Sequence, residues 1–327
     1  MSLRRRVASW LEQGALPSSL TLAPSALYGR IAAQRLARPV LLPPHVNVIG
    51  VGGAVLGGAG KTPVAIAYAK ALKQKGQSVV VVSHGYKAAV DCARQVGSHD
   101  DVRQVGDDAL LAARELEDVG VAVWVGSSRQ EALSAAASKA MTIVVDGLLQ
   151  ASPCPVTRSL LVLDELEPWG SGRCLPAGDL RAPPSALLAA CDQVVLLRDP
   201  ALANRGVTTT WPGAMRAELQ LLGFSLPSGK IDVREADAAR LGVLLLVGRP
   251  QRVLASLRAR GVRPLCHWFG ADHTPPSSLD CWILRRMARQ HRLDGWLVTP
   301  KCRTHLSSDL GAPLWTIETF VHLDPGP

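Results

Sequence analysis

Aromatic residues are scarce: three Tyr, three Phe and eight Trp make up only 4% of 327 residues. A core with so few rings must be packed from Leu, Val and Ala. The seven cysteines (Cys92, Cys154, Cys174, Cys191, Cys266, Cys281 and Cys302) are odd in number and scattered, and no pair has zinc-site spacing. No secretory signal with a cleavage site precedes them. That pattern argues against a disulfide scaffold and predicts a reduced, cytoplasmic compartment. No apolar run reaches the roughly 20 residues of a membrane span. Acid is nearly missing from the first forty residues, where Glu12 stands alone against Arg4, Arg5, Arg6, Arg30, Arg35 and Arg38.

What is present is globular. Hydrophobic residues are 47% and charged residues 19%, at a length that makes one large domain or two ordinary ones. Lys plus Arg is 36 and Asp plus Glu 27, so the net charge is +9. A basic surface favours anionic partners: nucleotides, phosphorylated substrates, nucleic acid or acidic lipid headgroups. Charge alone does not choose among them. The N-terminal arginines are interleaved with Leu3, Val7, Trp10, Leu11, Leu20, Leu22, Leu27, Tyr28, Ile31 and Leu36. Such a stretch suits a helix lying in an anionic membrane interface, or a helical arm packed on the domain behind it.

From Val46 the texture is α/β. Short apolar runs at 46–51, 78–82, 121–125, 142–145, 159–163 and 193–197 read as buried strands. Helical patterns at 62–75, 107–117 and 128–139 lie between them. Alternation of this kind predicts a doubly wound, mostly parallel sheet whose ligands bind beyond the carboxyl ends of its strands. Residues 199–212 read as loop. A second, smaller α/β unit follows, with strands at 217–222, 242–247, 295–298 and 314–317 and helices at 251–260 and 278–290. The expected organisation is an N-terminal arm over 1–45, a nucleotide-binding domain over 46–205 and a second α/β domain over 206–327.

The strongest motif is Gly57-Gly58-Ala59-Gly60-Lys61-Thr62, between a predicted strand and a predicted helix. Glycines let backbone N–H groups turn inward around phosphate oxygens. Lys61 would reach the β/γ-phosphates, and the Thr62 hydroxyl would coordinate Mg²⁺. The general P-loop pattern wants a glycine where Val55 stands. Asp146, at the end of a buried strand, suits a Mg²⁺ site or an ordinary Asp-Gly turn with Gly147. Asp107 and Asp108 open a helix, where acids favour the dipole; they could also supply a general base or a metal ligand. His273 beside Asp272 could be oriented for proton transfer or be a surface histidine. In the loop from Trp169 to Arg181, Arg173 and Arg181 could clamp phosphates or be solvated.

Together these stretches resemble the tetraacyldisaccharide 4'-kinase (lipid A 4'-kinase) family, in the family's order from about Ser25 to Ile317. The pieces are Ala26-Leu27-Tyr28-Gly29, the glycine-rich loop through Pro63, Ser83-His84-Gly85-Tyr86, Val105-Gly106-Asp107-Asp108, Val123 through Arg129, the Trp169–Arg181 loop, Asp272-His273 and Thr299-Pro300-Lys301. In that family a threonine usually stands at the position of Val55.

The resemblance implies a P-loop kinase that transfers the ATP γ-phosphate to the 4'-hydroxyl of a tetraacylated disaccharide 1-phosphate, with Mg²⁺. It implies a lipid A precursor as partner, an anionic inner-membrane surface and no nucleic acid. The place it implies is the cytoplasmic face of the inner membrane, held peripherally or monotopically. Carried over, Lys61 and Thr62 hold phosphate and Mg²⁺, Asp146 and Asp108 serve the metal, and Asp107 coupled to His273 accepts the hydroxyl proton. Arg181 neutralises phosphate charge, Tyr86 lines the acceptor site, and Arg173 joins them among the expected substrate-binding residues. The chain departs from the family where Val145 replaces the first acid of Asp-Asp-Gly, where Pro300 and Cys302 replace the acids of Thr-Glu-Lys-Asp, and where His84 replaces an arginine. Those departures leave open a degenerate relative that binds nucleotide or lipid without turnover.

Overall fold

The computed structural model describes residues 7, 10, 11, 18–205, 211–226, 228–233, 235–306 and 309–324. Leu3, Arg4, Arg5, Arg6 and Glu12 of the expected arm lie outside the described residues. The chain divides into two compact units. One holds the described residues up to Arg198, together with 211–218 and 321–324; the other holds 199–205 and Leu219–Phe320.

The first unit begins with helix α1 (Ser18–Gln34) and strand β1 (Ala37–Pro39). Next come β2 (Asn47–Gly53), α2 (Lys61–Gln74), β3 (Val79–Val82), β4 (Arg94–Val96), α3 (Val102–Val105), α4 (Asp107–Leu116), β5 (Ala122–Val125) and α5 (Arg129–Ala137). Strands β6 (Thr142–Asp146), β7 (Gln150–Ser152) and β8 (Arg158–Asp164), helix α6 (Pro184–Ala189) and strand β9 (Gln193–Arg198) complete the series. The first residues of β10 (Met215–Leu226) pair in parallel with β9, Met215 opposite Val195 and Glu218 opposite Arg198. The order is β10-β9-β8-β2-β6-β3-β5-β4. Every pairing is parallel except β4 against β5.

The composition explains the strands. β3 is four consecutive valines, all buried, as a central strand covered on both faces requires. One face packs Val80, Val82, Ile143 and Val145 against Ala132, Leu133 and Ala136 of α5. Another cluster gathers Leu161, Leu163 and Leu196 with Val55 and Leu180. Rings only flank these clusters: Trp124 packs against the first, and Tyr28, Trp169 and Trp211 against the second, all partly buried. The doubly wound, mostly parallel sheet matches the architecture expected from the sequence.

Helix α1 shows two faces. Thr21, Ser25 and Gly29, four residues apart, are buried, and Ser25 Oγ donates to Cys174 O at 2.8 Å. Leu20, Leu22, Leu27 and Ile31 are exposed, Leu20 by 75%. Among the described residues no helix is long and apolar enough to cross a membrane.

In the second unit, β10 continues and pairs antiparallel with β11 (Gly229–Ile231). Then follow β12 (Leu241–Leu245), α7 (Pro250–Ala259), β13 (Cys266–Phe269), α8 (Ser278–His291), β14 (Gly295–Val298), α9 (Pro300–Arg303) and β15 (Leu314–Asp324). The parallel order is β13-β12-β14-β15. A capping box between Ser277 and Asp280 starts α8. The core centres on Trp296, whose indole N–H donates to Leu310 O at 3.1 Å.

Candidate functional site

Strand β2 ends at Gly53, and α2 opens at Lys61 after the glycine-rich turn. Gly60 is the N-cap, with φ +74°. That backbone conformation is costly for any side chain, and a Cβ there would also fall 2.2 Å from Leu197 Cδ2. The first-turn amides of α2 lack helical acceptors by construction, so they are free for an anion. Pro63 sits within that turn, where its missing N–H costs nothing. A Cβ at Gly53 would lie 2.8 Å from Lys61 Cγ, so the lysine stem lies over the end of β2. Thr62 is buried, and its hydroxyl donates to Asp146 Oδ2 at 2.6 Å. Asp146 ends β6, the neighbour of β2.

The Trp169–Arg181 loop is laced onto the start of this turn. Arg181 N–H donates to Ala54 O at 2.8 Å, and Leu56 N–H donates to Asp179 O at 2.9 Å. Val55 bridges Leu180 between them. The Arg181 Nε–H donates to Val55 O at 3.0 Å. The loop is itself pinned, because Asp179 Oδ1 accepts from Ser171 N–H at 2.9 Å and from Ser171 Oγ–H at 2.7 Å. Gly178 makes this possible: a Cβ there would come 2.1 Å from Ser171 Oγ and 2.5 Å from Arg173 O. Val55 is 4% exposed and packs against Leu180. The side chain at this departure from the P-loop pattern is therefore a core contact, and its carbonyl is what holds Arg181. Arg173 is exposed.

Other residues gather at the strand ends. Asp107 is buried at the head of α4, and its Oδ1 accepts the Asp108 N–H at 2.9 Å. Gly106, just before it, packs on Gly85 and the His84 carbonyl. Tyr86 is half exposed, edge-on to His84 at 6.1 Å between ring centres. Arg129 opens α5, and its Nη2 donates to Gly147 O at 3.3 Å. Desolvation first, then repulsion from Arg38, pushes the Arg129 guanidinium down to about 10, against the pull of Asp146. The same two causes lower Arg181. His84 keeps contact with solvent, yet partial desolvation and then repulsion from Arg129 and Arg38 hold its imidazole below the usual value, despite Asp108.

The second unit holds another cluster. His273 Nε2 lies 3.5 Å from Asp272 Oδ2 and 3.4 Å from Lys301 Nζ. Lys301 Nζ is 3.7 Å from Asp272 Oδ1. Nε2 thus faces both a carboxylate that only accepts and an ammonium that only donates. Thr299 caps α9, and Pro300 fills its first position, where proline fits without cost. Cys302 is fully buried; its Sγ receives the Leu246 N–H at 3.1 Å and the Thr299 hydroxyl at 3.0 Å. Burial pushes this thiol up, so it stays protonated.

The structure thus brings Gly57 to Thr62, Asp146 and Arg181 into one site in the first unit, with Asp107, Asp108 and Tyr86 at neighbouring strand ends. His273 belongs to the other unit. Sequence reasoning did not select Arg38 or Arg129 as site residues. Arg129 had a usable signal: like Lys61, it opens a helix directly after a parallel strand. Arg38 had none, since β1 is three exposed residues.

The sequence model of the LpxK family, described as tetraacyldisaccharide-1-P 4'-kinase, matches residues 18–325. The tetraacyldisaccharide 4'-kinase of Jannaschia sp. (strain CCS1) is 32% identical over 321 residues, 96% of this chain and 94% of that protein. That of Paramagnetospirillum magneticum is 33% identical over 319 residues, covering 96% and 93%. The crystal structure of LpxK from Aquifex aeolicus in complex with ATP superposes with a TM-score of 0.66 over 94% of this chain and 95% of that one. At 20% identity that match speaks for the fold. With the family's sequence pattern met along nearly its whole length, this chain belongs to the tetraacyldisaccharide-1-P 4'-kinase family.

Proposed function

We propose that the protein is a phosphotransferase that moves the γ-phosphate of ATP to the 4'-hydroxyl of a tetraacylated disaccharide 1-phosphate, a lipid A precursor. The observation that carries this is the Thr62 hydroxyl bonded to Asp146 at the opening of α2, under a turn whose N-cap is left-handed Gly60. Its family membership and the ATP held by the Aquifex aeolicus relative support the nucleotide.

In this mechanism the α2 amides and Lys61 cradle the nucleotide's phosphates. Arg181 holds the turn open through Val55 O and adds positive charge where phosphate charge builds. Asp107, buried and fixed through the Asp108 amide, takes the proton of the acceptor hydroxyl. Thr62 and Asp146 offer hydroxyl and carboxylate oxygens, the donors Mg²⁺ prefers, and Asp108, next to Asp107 at the head of α4, is a further carboxylate for the metal. Bound there, Mg²⁺ would neutralise charge between the phosphates. Tyr86 and Arg173, both exposed, serve acceptor binding, and His273, set by Asp272 and Lys301, serves proton transfer. Exposed Leu20, Leu22, Leu27 and Ile31 on α1, with exposed Arg30 and Arg35, favour peripheral association with an anionic inner-membrane surface at its cytoplasmic face. Nucleic acid plays no part.

The test is transfer of labelled phosphate from ATP to the disaccharide 1-phosphate in anionic vesicles. Wild type is expected to exceed Lys61→Ala by at least about a hundredfold in kcat/KM. Leu22→Asp with Leu27→Asp should reduce activity on vesicles and spare activity in detergent. Equal rates for wild type and Lys61→Ala would end the kinase assignment. The degenerate alternative draws on one observation: Val145 is fully buried in the α5-facing core, so one family acid is replaced by packing. Tight ATP binding without transfer would favour it.

A further inference from the structure

Cations outnumber acids in one corner of the first unit, where Arg129 and Arg181 share the pull of Asp146 and the repulsion of Arg38. Arg38 stands on β1, in register with Ala151 of β7, just downstream of Gly147. Arg129 donates to Gly147 O at 3.3 Å. Arg181 is tied to Val55 O. The charge of Arg38 is felt by Arg129, Arg181 and His84 alike. Asp146 is the acid that attracts both Arg129 and Arg181, and it is already bonded to Thr62. Gathering like charges in a partly dry corner is unfavourable unless an anion completes it. Guanidinium forks are suited to phosphate oxygens, and these are side-chain donors, separate from the amides of the P-loop.

We propose that Arg38 and Arg129 form a second phosphate subsite beside the P-loop, taking a terminal phosphate dianion through side-chain donors in place of the loop's amides, with Arg181 fixing the wall between the two. This rests on the phosphotransfer reading, which supplies two candidate dianions: the acceptor's own 1-phosphate and the nucleotide's terminal phosphate. Arg38 is exposed on a short peripheral strand, so its side chain is free to meet a ligand and its replacement leaves the core intact.

Calorimetry on the full chain, saturated with Mg²⁺ and a non-hydrolysable ATP analogue, tests it with glucosamine 1-phosphate as probe and glucosamine as control. The phosphosugar is expected to bind and the free sugar not to. Arg38→Gln should weaken the phosphosugar about tenfold, and Arg38→Lys should recover part of the loss. If Arg38→Gln instead weakens the ATP analogue by a similar factor and spares the phosphosugar, the subsite belongs to the terminal phosphate of the nucleotide. Unchanged affinity for both in a folded Arg38→Gln, or equal binding of glucosamine and its phosphate, overturns the subsite. The readout needs no turnover, so a protein that binds the probe through Arg38 yet never transfers phosphate would refute the kinase assignment and leave the subsite standing.

Discussion

Asp199 in the second unit and Arg129 in the first are both charges that folding has drawn out of water, and they are treated differently. Asp199 is met at once: Arg260 pairs with it at 2.7 Å, the Ser256 hydroxyl donates to its other oxygen, and the Ala201 amide donates at 3.1 Å. Every lone pair that matters has a protein donor. Arg129 is met by one long bond to a carbonyl, by the more distant pull of Asp146, which is itself bonded to Thr62, and by two more arginines. A charge answered inside the chain belongs to the architecture. A charge left over points outward to a ligand.

The comparison can be strained hardest at Val145. If the first unit merely lacked negative charge, Val145→Asp would relieve it. The side chain at 145 instead shares the Val80, Val82 and Leu133 face, opposite in direction to its neighbour Asp146. Burying a carboxylate there should cost about 4 kcal/mol, read as a lower denaturation midpoint with little change in ATP affinity. A variant as stable as wild type, with tighter Mg²⁺-ATP, would show that the acid reaches the site after all.

Asp199→Asn probes the matched charge. Removing its negative charge strands Arg260 in a poorly hydrated place, and stability should fall by about 3 kcal/mol in urea unfolding. The KM for ATP should stay unchanged. A loss of ATP binding without loss of stability would reverse the roles assigned to the two charges.

Arg129→Met is the smallest and most diagnostic change. It removes a desolvated cation from among like charges and keeps a straight side chain. Stability should rise by about 1 kcal/mol while phosphosugar or nucleotide binding weakens. Linkage gives the same sign. Because the folded state holds Arg129 near 10, below its ordinary value, its charge opposes folding at neutral pH. That penalty fades as pH rises through about 10, so the stability gap between variant and wild type should narrow at alkaline pH. A variant less stable than wild type at pH 7 would mean that Arg129 is a structural residue.

Much of the first unit was legible because the signals were local. Valine runs marked the strands, and the glycine turn before Lys61 marked the phosphate loop. The short peripheral strands β1, β7, β11 and β13 were not legible. Each has three or four residues, and β13 carries His267 amid half-buried neighbours, so no apolar run announces it. The strand found at Met215–Leu226 extends past the expected 217–222 at both ends, where exposed Arg216 and the strand-weakening Gly223 interrupt the apolar pattern. Site residues on long strands and helix starts, such as Asp146 and Lys61, could be named in advance. Arg38 could not, since only the β1–β7 pairing takes it out of the N-terminal basic stretch and sets it by Arg129. The place of Val55 also needed the fold, because the partner that explains it is more than a hundred residues away in Leu180 and Arg181.

The lacing of the Trp169–Arg181 loop onto Ala54, Val55 and Leu56 means that the phosphate loop is not a portable cassette. Its curvature is stored partly in a distant stretch of chain, and one methyl group at Gly178 would push that stretch away from Ser171. Grafting residues 54–62 alone into another scaffold would transplant a ribbon without its clasp. Inheritance faces the same condition, for drift at either stretch is tolerated only as far as the other can follow.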